Sequence, residues 1–503
     1  MKNLLLAFVL CFPILSFSQN NTFYESHEVD SVAIPRGGYG YFTTFINANL
    51  QIPYMAKVAK VNGFVSLSGV VDEQGKISQI ELIKGIRPDC DKEAIRVFGL
   101  FNAWKAALKG GKEVGQKVSF RIPFKSTETI YFSKGIQTEF LDKNFMPSKE
   151  PSAYNGYVQK IPIDTISGNP VGMIVFYKKE DIYTAFKQKK ENIPNYIPQY
   201  PDNLKDSTLK MYRVSYTNAN ESIVGDLMTY FADGILYQKQ YFDKGTPSFP
   251  STTYYKNGMV KEINIYTDIE KKTYQKTSWH TNGQISEIIE YKEVPLTLVD
   301  KNNMAPMSTR KIENLISQWN ELGSQNVKNG FGEVVTKFYD DSENFELITE
   351  KGKFLNFQKD SLWIGRLDDE SVAYREIYNK GVLQKGISYS AEGDSASYEN
   401  ESEVNAQFKG GQKGYIDYLI HNLKYPAAAQ RNNAQGKSFV QFVVCTDGSL
   451  CNFQVLKSAG HPSLDAEAIR VVQNSSGKWN SAVKRGRKVR AKFTLPINFL
   501  LSN

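Results

Sequence analysis

The chain has 503 residues, enough for about three domains, and its 41% hydrophobic and 23% charged residues are typical of an ordinary soluble globular protein. Its formal net charge of +8 is modest for this length. We therefore expect a mild preference for acidic partners and no dedicated binding of nucleic acid.

Residues 1–18 predict a secretory signal peptide. A short basic head and an apolar run are followed by Ser16 and Ser18, small residues before a cleavage at Gln19. The alternative is an uncleaved inner-membrane anchor, but the apolar run is shorter than the roughly 20 residues that a bilayer requires. We therefore expect a mature chain in the periplasm, soluble in an oxidising compartment.

Residues 37–125 predict a small α+β module. Apolar residues at helical spacing run up to Pro53, which ends the helix. Two strands joined at Gly75 come next, followed by a helix with acidic residues in its first turn at Asp91–Glu93. The segment closes on a short apolar stretch that contains Pro123.

Residues 126–383 predict a mainly β region made of repeated hairpins. Its units share the layout aromatic-x-x-Asp/Asn/Lys-Gly, and three of the glycines, at 234, 258 and 283, lie 24 and 25 residues apart. Glycine supplies the positive φ of each turn. The layout resembles MORN-type repeat variants. Aromatic-rich arrays of this kind bind glycans, lipids or proteins, or their rings only pack between strands, and both interpretations stay open.

Three segments do not follow the repeated-hairpin pattern. Residues 192–201 are proline-rich, and residues 384–408 are polar, so both are predicted to be linkers. Ile312, Leu315, Ile316 and Trp319 lie at helical spacing, which predicts a helix over 312–322.

Residues 409–503 predict a second α+β module. An apolar stripe at Ile416, Leu419, Ile420 and Leu423 indicates a helix, and two alternating strands follow, joined by the turn at Asp447–Gly448. A helix over 464–472 precedes the last strand. That strand contains Pro496, which cannot donate a hydrogen bond to a neighbouring strand, so it should lie at a sheet edge.

Several motifs of this last segment occur together and in order. They are Gly410–Gly411, Leu423–Pro426 with its Tyr425-Pro426 pair, Gly436, Asp447–Gly448, His461–Ala468, and Trp479 with the final stretch to Phe499. Together they resemble the TonB C-terminal domain of Bacteroidetes-type energy transducers. The resemblance implies a periplasmic α+β module whose exposed sheet edge takes up an extended segment of an outer-membrane transporter, in TonB-dependent transmembrane transport.

Residues 37–125 repeat this pattern at a constant offset. Pro53, Gly63, Gly75 and Pro123 recur 373 residues later as Pro426, Gly436, Gly448 and Pro496. We refer to residues 37–125 as the first copy and to 409–503 as the second copy. The predicted fold is therefore an α+β chain of two small modules, each with two helices and a three-stranded antiparallel sheet, flanking a β hairpin-repeat region. The first copy is the more diverged.

The resemblance also implies a binding site. Its edge is predicted to comprise Val489, Arg490, Ala491, Lys492, Phe493, Thr494 and Leu495, supported by Tyr425 and Pro426. A full transducer needs an inner-membrane helix and commonly a proline-rich spacer, and we find neither pattern after residue 18. We therefore expect an adaptor that binds without pulling. The alternative is an envelope scaffold whose β array holds peptidoglycan, lipid or protein.

The sequence carries no pattern of an enzyme, a metal site or a cofactor site. The four histidines lie far apart, and no catalytic or nucleotide-binding fingerprint occurs. The basic run 484–492 is either a solvated hairpin tip or an attractor of acidic peptides and anionic envelope components. Cys445 and Cys451 flank a turn, so they form either a cross-strand disulfide or a pair of reduced thiols.

Overall fold

A computed structural model describes residues 23–143, 145, 147–148, 156–193, 210–243, 245–270, 272–295, 309–340 and 346–501. The predicted secretory signal and the centre of the predicted linker at 192–201 lie outside these residues. The described residues divide into two compact units: those up to 310 together with 319–325, and those over 311–318 together with the residues from 326 onward.

The first unit begins with β1 (Ile34–Pro35), and the first copy follows. Its elements are α1 (Tyr39–Asn49), α2 (Tyr54–Val58), β2 (Asn62–Val71), β3 (Ile77–Lys84), α3 (Pro88–Gly99), β4 (Trp104–Lys105), β5 (Ala107–Lys109), β6 (Lys112–Val114) and β7 (Gln116–Lys125). The main sheet has the order β3-β2-β7, so β7 is an edge strand. The strand that contains Pro123 thus lies where proline is tolerated.

The rest of the first unit is an antiparallel meander, the first array. Its strands are β8 (Tyr131–Ser133), β9 (Ile136–Leu141), β10 (Pro147–Ser148), β11 (Tyr157–Pro162), β12 (Ile174–Lys178), β13 (Asp181–Ile193), β14 (Met211–Thr217), β15 (Ile223–Phe231), β16 (Leu236–Asp243), β17 (Thr246–Tyr254), β18 (Val260–Asp268), β19 (Thr273–Trp279) and β20 (Ile285–Pro295). The region is β as predicted, and Gly234, Gly258 and Gly283 all adopt positive φ in the turns between its strands.

The first copy and the first array share one hydrophobic core. Met259, Val260, Trp279 and Ile285 of the array are buried in the same cluster as the side chains of α1 and α3. The side-chain oxygen of Asn49, itself 2% exposed, accepts a hydrogen bond of 2.7 Å from the backbone N–H of Val260. Apolar burial of this extent fixes the first copy to the array.

Two strands connect the arrays in sequence, β21 (Thr309–Trp319) and β22 (Gln325–Lys328). The helix predicted over 312–322 is therefore wrong. Leu315, Ser317 and Trp319 are buried at alternate positions, the period of the strand that they belong to, and Gln318 at its end is buried as well. The polar Ser317 at an inward position hid this alternation, and the apolar residues that remained happened to fit helical spacing.

The second unit contains a second meander, the second array. Its strands are β23 (Phe331–Tyr339), β24 (Leu347–Leu355), β25 (Gln358–Arg366), β26 (Val372–Asn379), β27 (Val382–Tyr389) and β28 (Ser395–Asn400). Two short strands come next, β29 (Glu403–Val404) and β30 (Gln407–Phe408). The second copy then follows as α4 (Gly411–Asn422), α5 (Ala427–Arg431), β31 (Gly436–Val444), β32 (Leu450–Lys457), α6 (Pro462–Gln473), β33 (Trp479–Asn480), β34 (Ala482–Lys484), β35 (Arg487–Val489) and β36 (Ala491–Phe499).

Two features of the second unit differ from the sequence expectations. Residues 384–408 are not a linker, because β27 to β30 run through them. The helix α4 forms as predicted, but Tyr415 and Tyr418 take inward places beside Leu419. Ile416 and Ile420 are consequently 46% and 71% exposed, so only Leu419 and Leu423 of the predicted stripe pack against the core, and both are partly buried.

Candidate edge-strand site

The strand β36 lies at the edge of the second copy's main sheet. The sheet has the order β32-β31-β36, and β36 pairs with β31 in unbroken register from Ala491↔Val444 to Phe499↔Gly436. Among the described residues, no strand pairs with the outer side of β36. The predicted edge position of the last strand is confirmed.

Pro496 determines which backbone groups of β36 face outward. Hydrogen-bonded and non-bonded pairs alternate along an antiparallel ladder. Pro496 has no N–H to donate to its opposite residue, Phe439, so this pair belongs to the non-bonded set. Lys492 and Thr494 lie four and two residues before Pro496, so they belong to the same non-bonded set. We infer that their N–H and C=O groups point away from β31.

The side chains of β36 alternate between the core and the solvent. Phe493 and Leu495 are half-buried and pack on the core of the second copy, whereas Lys492 and Thr494 are exposed. Phe493 contacts the indole ring of Trp479, with ring centroids 5.1 Å apart. The apolar face holds the strand in place and leaves its outer backbone edge open.

The predicted site is not one continuous strand. Val489 belongs to β35 and pairs with Ala482 in a separate three-stranded sheet, and Arg490 lies between β35 and β36. The edge strand therefore begins at Ala491. The alternating pattern of the sequence did not reveal this break, because Val489 continues the apolar phase of the strand.

Tyr425 and Pro426 lie at the other end of the edge strand. The Tyr425 ring contacts that of Phe499 at 5.9 Å, and its hydroxyl donates a hydrogen bond of 2.5 Å to the carbonyl of Ala434. Pro426 is the N-cap residue of α5. Tyr425 therefore packs on the sheet at Phe499, and Pro426 starts the short helix that follows.

A carboxylate and a guanidinium anchor α6 to the end of α4. Glu467 accepts hydrogen bonds from Arg470 Nε at 2.6 Å and from the backbone N–H of Lys424 at 2.6 Å, while Arg470 also donates to the carbonyl of Asn422. Burial raises the pKa of Glu467, but the hydrogen bonds from Arg470 and Lys424 outweigh it and hold that pKa below the ordinary value.

The first copy has the same anchor. Glu93 accepts hydrogen bonds from Arg96 Nε and from the backbone N–H of Gln51, both at 2.6 Å, and Arg96 donates to the carbonyl of Asn49. The sequence shows Glu-x-x-Arg at both places, but spacing alone did not reveal that the pair ties two helices together.

His461 has a structural role in the second copy. It is the N-cap residue of α6, and its Nδ1 atom accepts a hydrogen bond from the backbone N–H of Ser463 at 3.3 Å. Its other ring nitrogen lies 3.2 Å from the amide nitrogen of Asn432. Through these contacts His461 fixes the start of the helix.

The first two residues of the basic run 484–492 are not solvated. The side chains of Lys484 and Arg485 are only 15% and 16% exposed and form ion pairs with Asp340 and Glu376 of the second array. Lys488 and Lys492 are exposed. The second copy nevertheless stays basic, since residues 405–503 contain fourteen Lys and Arg against four Asp and Glu.

The edge strands of the two copies are not equivalent. At the start of β7, Tyr24 forms a parallel bridge with Gln116, and its carbonyl accepts a hydrogen bond of 2.9 Å from the N–H of Lys117. The chain's own N-terminal segment thus covers the beginning of the first copy's edge. The described part of the second copy has no such segment on β36.

The side chains of Cys445 and Cys451 lie together beside the Asp447–Gly448 turn. Both are free thiols, and their sulfur atoms are 3.2 Å apart. A guanidinium nitrogen of Arg490 lies 3.5 Å from Cys451 Sγ. The third thiol of the described chain, Cys90, is buried in the first copy, and burial raises its pKa to about 11.

We expect oxidised glutathione to join Cys445 to Cys451 and to leave Cys90 reduced, because exchange requires an accessible thiolate. Alkylation followed by mass spectrometry measures which of the three cysteines remain free thiols. Modification of Cys445 and Cys451 as free thiols after oxidation would contradict the expectation, and Cys90, alkylated only after denaturation, is the internal control.

No group of His, Cys, Asp and Glu in the described ranges has the geometry of a metal site. Within the same ranges, no helix combines the length and apolar character needed to span a bilayer.

A family model described as Gram-negative bacterial TonB protein C-terminal matches residues 48–126 and again residues 421–501. The chain is also similar to two solution structures of the Helicobacter pylori TonB C-terminal domain. One is 20% identical over 18% of this chain and 78% of that chain, with a TM-score of 0.15. The other is 21% identical over 17% and 90%, also with a TM-score of 0.15. No curated protein matches the chain.

TonB C-terminal domains are noncatalytic modules that interact with outer-membrane transporters, and TonB proteins are associated with the cell envelope. The two matched segments overlap the two copies of the sequence pattern, and each contains the main three-stranded sheet of its copy, β3-β2-β7 or β32-β31-β36. Residues 48–126 and residues 421–501 therefore each match the TonB C-terminal family.

Proposed function

We propose that the second copy binds an extended periplasmic segment of an outer-membrane transporter by adding it to β36 as a further strand. The observation that carries this proposal is the open outer side of β36 among the described residues. Such an edge offers a row of backbone donors and acceptors to a visiting chain. The outward groups of Lys492 and Thr494 supply the hydrogen bonds.

The charge of the second copy favours a particular kind of segment. Lys492 is exposed on the edge strand, and Lys437 is exposed on the neighbouring strand β31. A segment with acidic residues opposite Lys492 would gain from cross-strand pairing, and long-range attraction would speed its arrival.

The second copy is the binding domain, and the first copy is structural. The first copy shares a buried core with the first array, and Tyr24 covers the start of its edge. In this arrangement the chain works in the periplasm as an adaptor in TonB-dependent transport and does not itself transmit force. Finding the chain in a soluble periplasmic fraction, beginning at Gln19, would support an adaptor, whereas an intact N-terminus in the inner membrane would support a transducer.

The experiment that tests this function uses the chain from Gln19 onward, immobilised and exposed to solubilised outer membranes. We expect capture of a transporter, identified by mass spectrometry, and release when the periplasmic segment of that transporter is added as a synthetic peptide. Capture of no transporter, or capture that the peptide does not reverse, would overturn the proposal.

A second function is favoured by a cleft of about 490 Å³ on the second array. The exposed side chains of Val335 and Leu362 line it together with three cations, Lys351, Lys353 and Arg366, and two carboxylates, Glu333 and Glu370. Glu333 forms ion pairs with both lysines. This mixed polar and apolar surface fits the alternative in which the MORN-like arrays form an envelope scaffold for a glycan or lipid. If the chain is retained on purified envelope lipid or peptidoglycan and the Lys351→Glu variant is not, the result would support the scaffold function over transporter binding.

A further inference from the structure

The hairpin β34–β35 of the second copy carries its tip, residues 484–487, into the second array. The backbone N–H of Arg485 donates a hydrogen bond of 2.6 Å to the carbonyl of Ser402, and Ser388 Oγ donates one of 2.7 Å to the carbonyl of Arg485. Arg487 donates to Asp394, with 2.9 Å between Nη1 and Oδ2. The tip is thus held on both sides of Arg485.

Arg485 itself occupies a socket of acidic and aromatic side chains. Its Nε lies 3.3 Å from Glu376 Oε1, and Nη1 lies 3.8 Å from Asp340 Oδ2. The guanidinium carbon lies 3.7 Å from the centroid of the Tyr374 ring. A planar cation stacked on an aromatic face and flanked by two carboxylates is the arrangement that favours arginine over lysine.

The socket is built independently of its occupant. Glu376 is 1% exposed, and its two oxygens accept hydrogen bonds from the hydroxyls of Tyr398 at 2.7 Å and Tyr378 at 3.0 Å. The Tyr374 hydroxyl donates a hydrogen bond of 2.9 Å to Glu350, which also pairs with Lys359 at 3.0 Å. The array therefore fixes both the carboxylate and the ring before the arginine arrives.

This contact is special to the second copy. The corresponding hairpin of the first copy, β5–β6, has the tip Lys109-Gly110-Gly111-Lys112, which carries no arginine. The first copy joins its array through a shared apolar core. In the described part of the second unit, the buried core of the second copy contains no side chain of the second array. The contact between them is polar and concentrated at the tip.

We propose that the second array contains a guanidinium-binding site whose ligand is Arg485, and that this site latches the second TonB domain onto the array. The tip continues through Val489 and Arg490 into β36. The latch therefore fixes the beginning of the edge strand, and its release frees the domain to move on the segment that follows β28. This site does not depend on transporter binding.

Hydrogen exchange of the full chain, without any transporter, tests the latch. In Arg485→Ala, we expect the amides of 482–489 and those around Tyr374 and Tyr398 to exchange about tenfold faster or more, because the tip opens locally. The amides of β31 and β32 should keep their wild-type rates. Lys488→Ala removes an exposed charge from the same hairpin and should leave all these rates unchanged.

Chemical rescue separates a guanidinium site from a general loss of packing. N-ethylguanidinium should restore slow exchange around Tyr374 and Tyr398 in Arg485→Ala, whereas ethylammonium at the same concentration should not. Equal exchange in Arg485→Ala and wild type, or equal rescue by both cations, would overturn the proposal. If Arg485→Ala also exposes β31, Glu376→Gln tests the same site from the array side, and wild-type exchange of residues 482–489 in that variant would overturn it.

Discussion

A chain carrying Thr494→Pro is expected to lose most of its affinity for the transporter segment. The backbone groups of Thr494 point outward, as those of Pro496 do. A proline at position 494 therefore removes an outward N–H and places its ring in the path of the added strand. The hydrogen bonds to β31 are kept, because they are made by the alternate residues, such as Phe493 and Leu495. The loss of one hydrogen bond together with the steric clash should cost about 2 kcal/mol or more, equivalent to about a thirtyfold rise in Kd.

The first copy supplies a matched control for this variant. Arg121 is the residue two positions before Pro123 in β7, as Thr494 is before Pro496 in β36. Arg121→Pro should leave the Kd unchanged if the second copy is the binding domain. Titration of the full-length variants with fluorescent segment peptide measures both. A Kd of Thr494→Pro equal to that of wild type, or an equal loss in Arg121→Pro, would contradict the assignment.

The second large effect is expected at the anchor between α4 and α6. Glu467→Gln removes a nearly buried negative charge that accepts hydrogen bonds from Arg470 and Lys424, so the free energy of unfolding of the second unit should fall by about 3 kcal/mol. Asp417→Asn, which removes an exposed charge from α4, is the control and should change stability by less than about 0.5 kcal/mol.

The contribution of Glu467 should also depend on pH. Its folded pKa lies below the ordinary value of 4.5, so its stabilisation is present above that value and is lost as the pH falls through the folded pKa. Denaturant unfolding at neutral pH should therefore separate wild type from Glu467→Gln, and the difference should shrink below pH 4.5. A difference that stays constant into the acidic range would contradict this assignment.

The sequence was sufficient to predict the second copy's sheet. Val440, Phe442 and Val444 alternate cleanly, the Asp447–Gly448 turn is local, and Pro496 marks an edge because proline lacks a donor. The offset of 373 residues predicted the second matching segment, since a register shared over a whole module reflects a shared fold. These features depend on neighbours close in sequence.

The parts that the sequence did not reveal depend on distant neighbours. The sequence left open whether Arg485 lies in a solvated tip or attracts an acidic partner, because Glu376 and Tyr374, which enclose it, lie more than a hundred residues earlier. The edge strand of the first copy is covered at its start by Tyr24, whereas that of the second copy is open among the described residues. No sequence pattern around Tyr24 predicted this difference. Period alone also misplaced residues 312–322, where a buried Ser317 disguised the strand.

The most direct test of the central claim is the hydrogen exchange of the individual amides of β36, read by NMR with and without the transporter segment. The outward amides of Lys492 and Thr494 should exchange rapidly in the free chain and become protected when the segment binds, while Phe493 and Leu495 should be protected in both states. Binding of the segment with Lys492 and Thr494 still exchanging rapidly would show that the segment docks elsewhere.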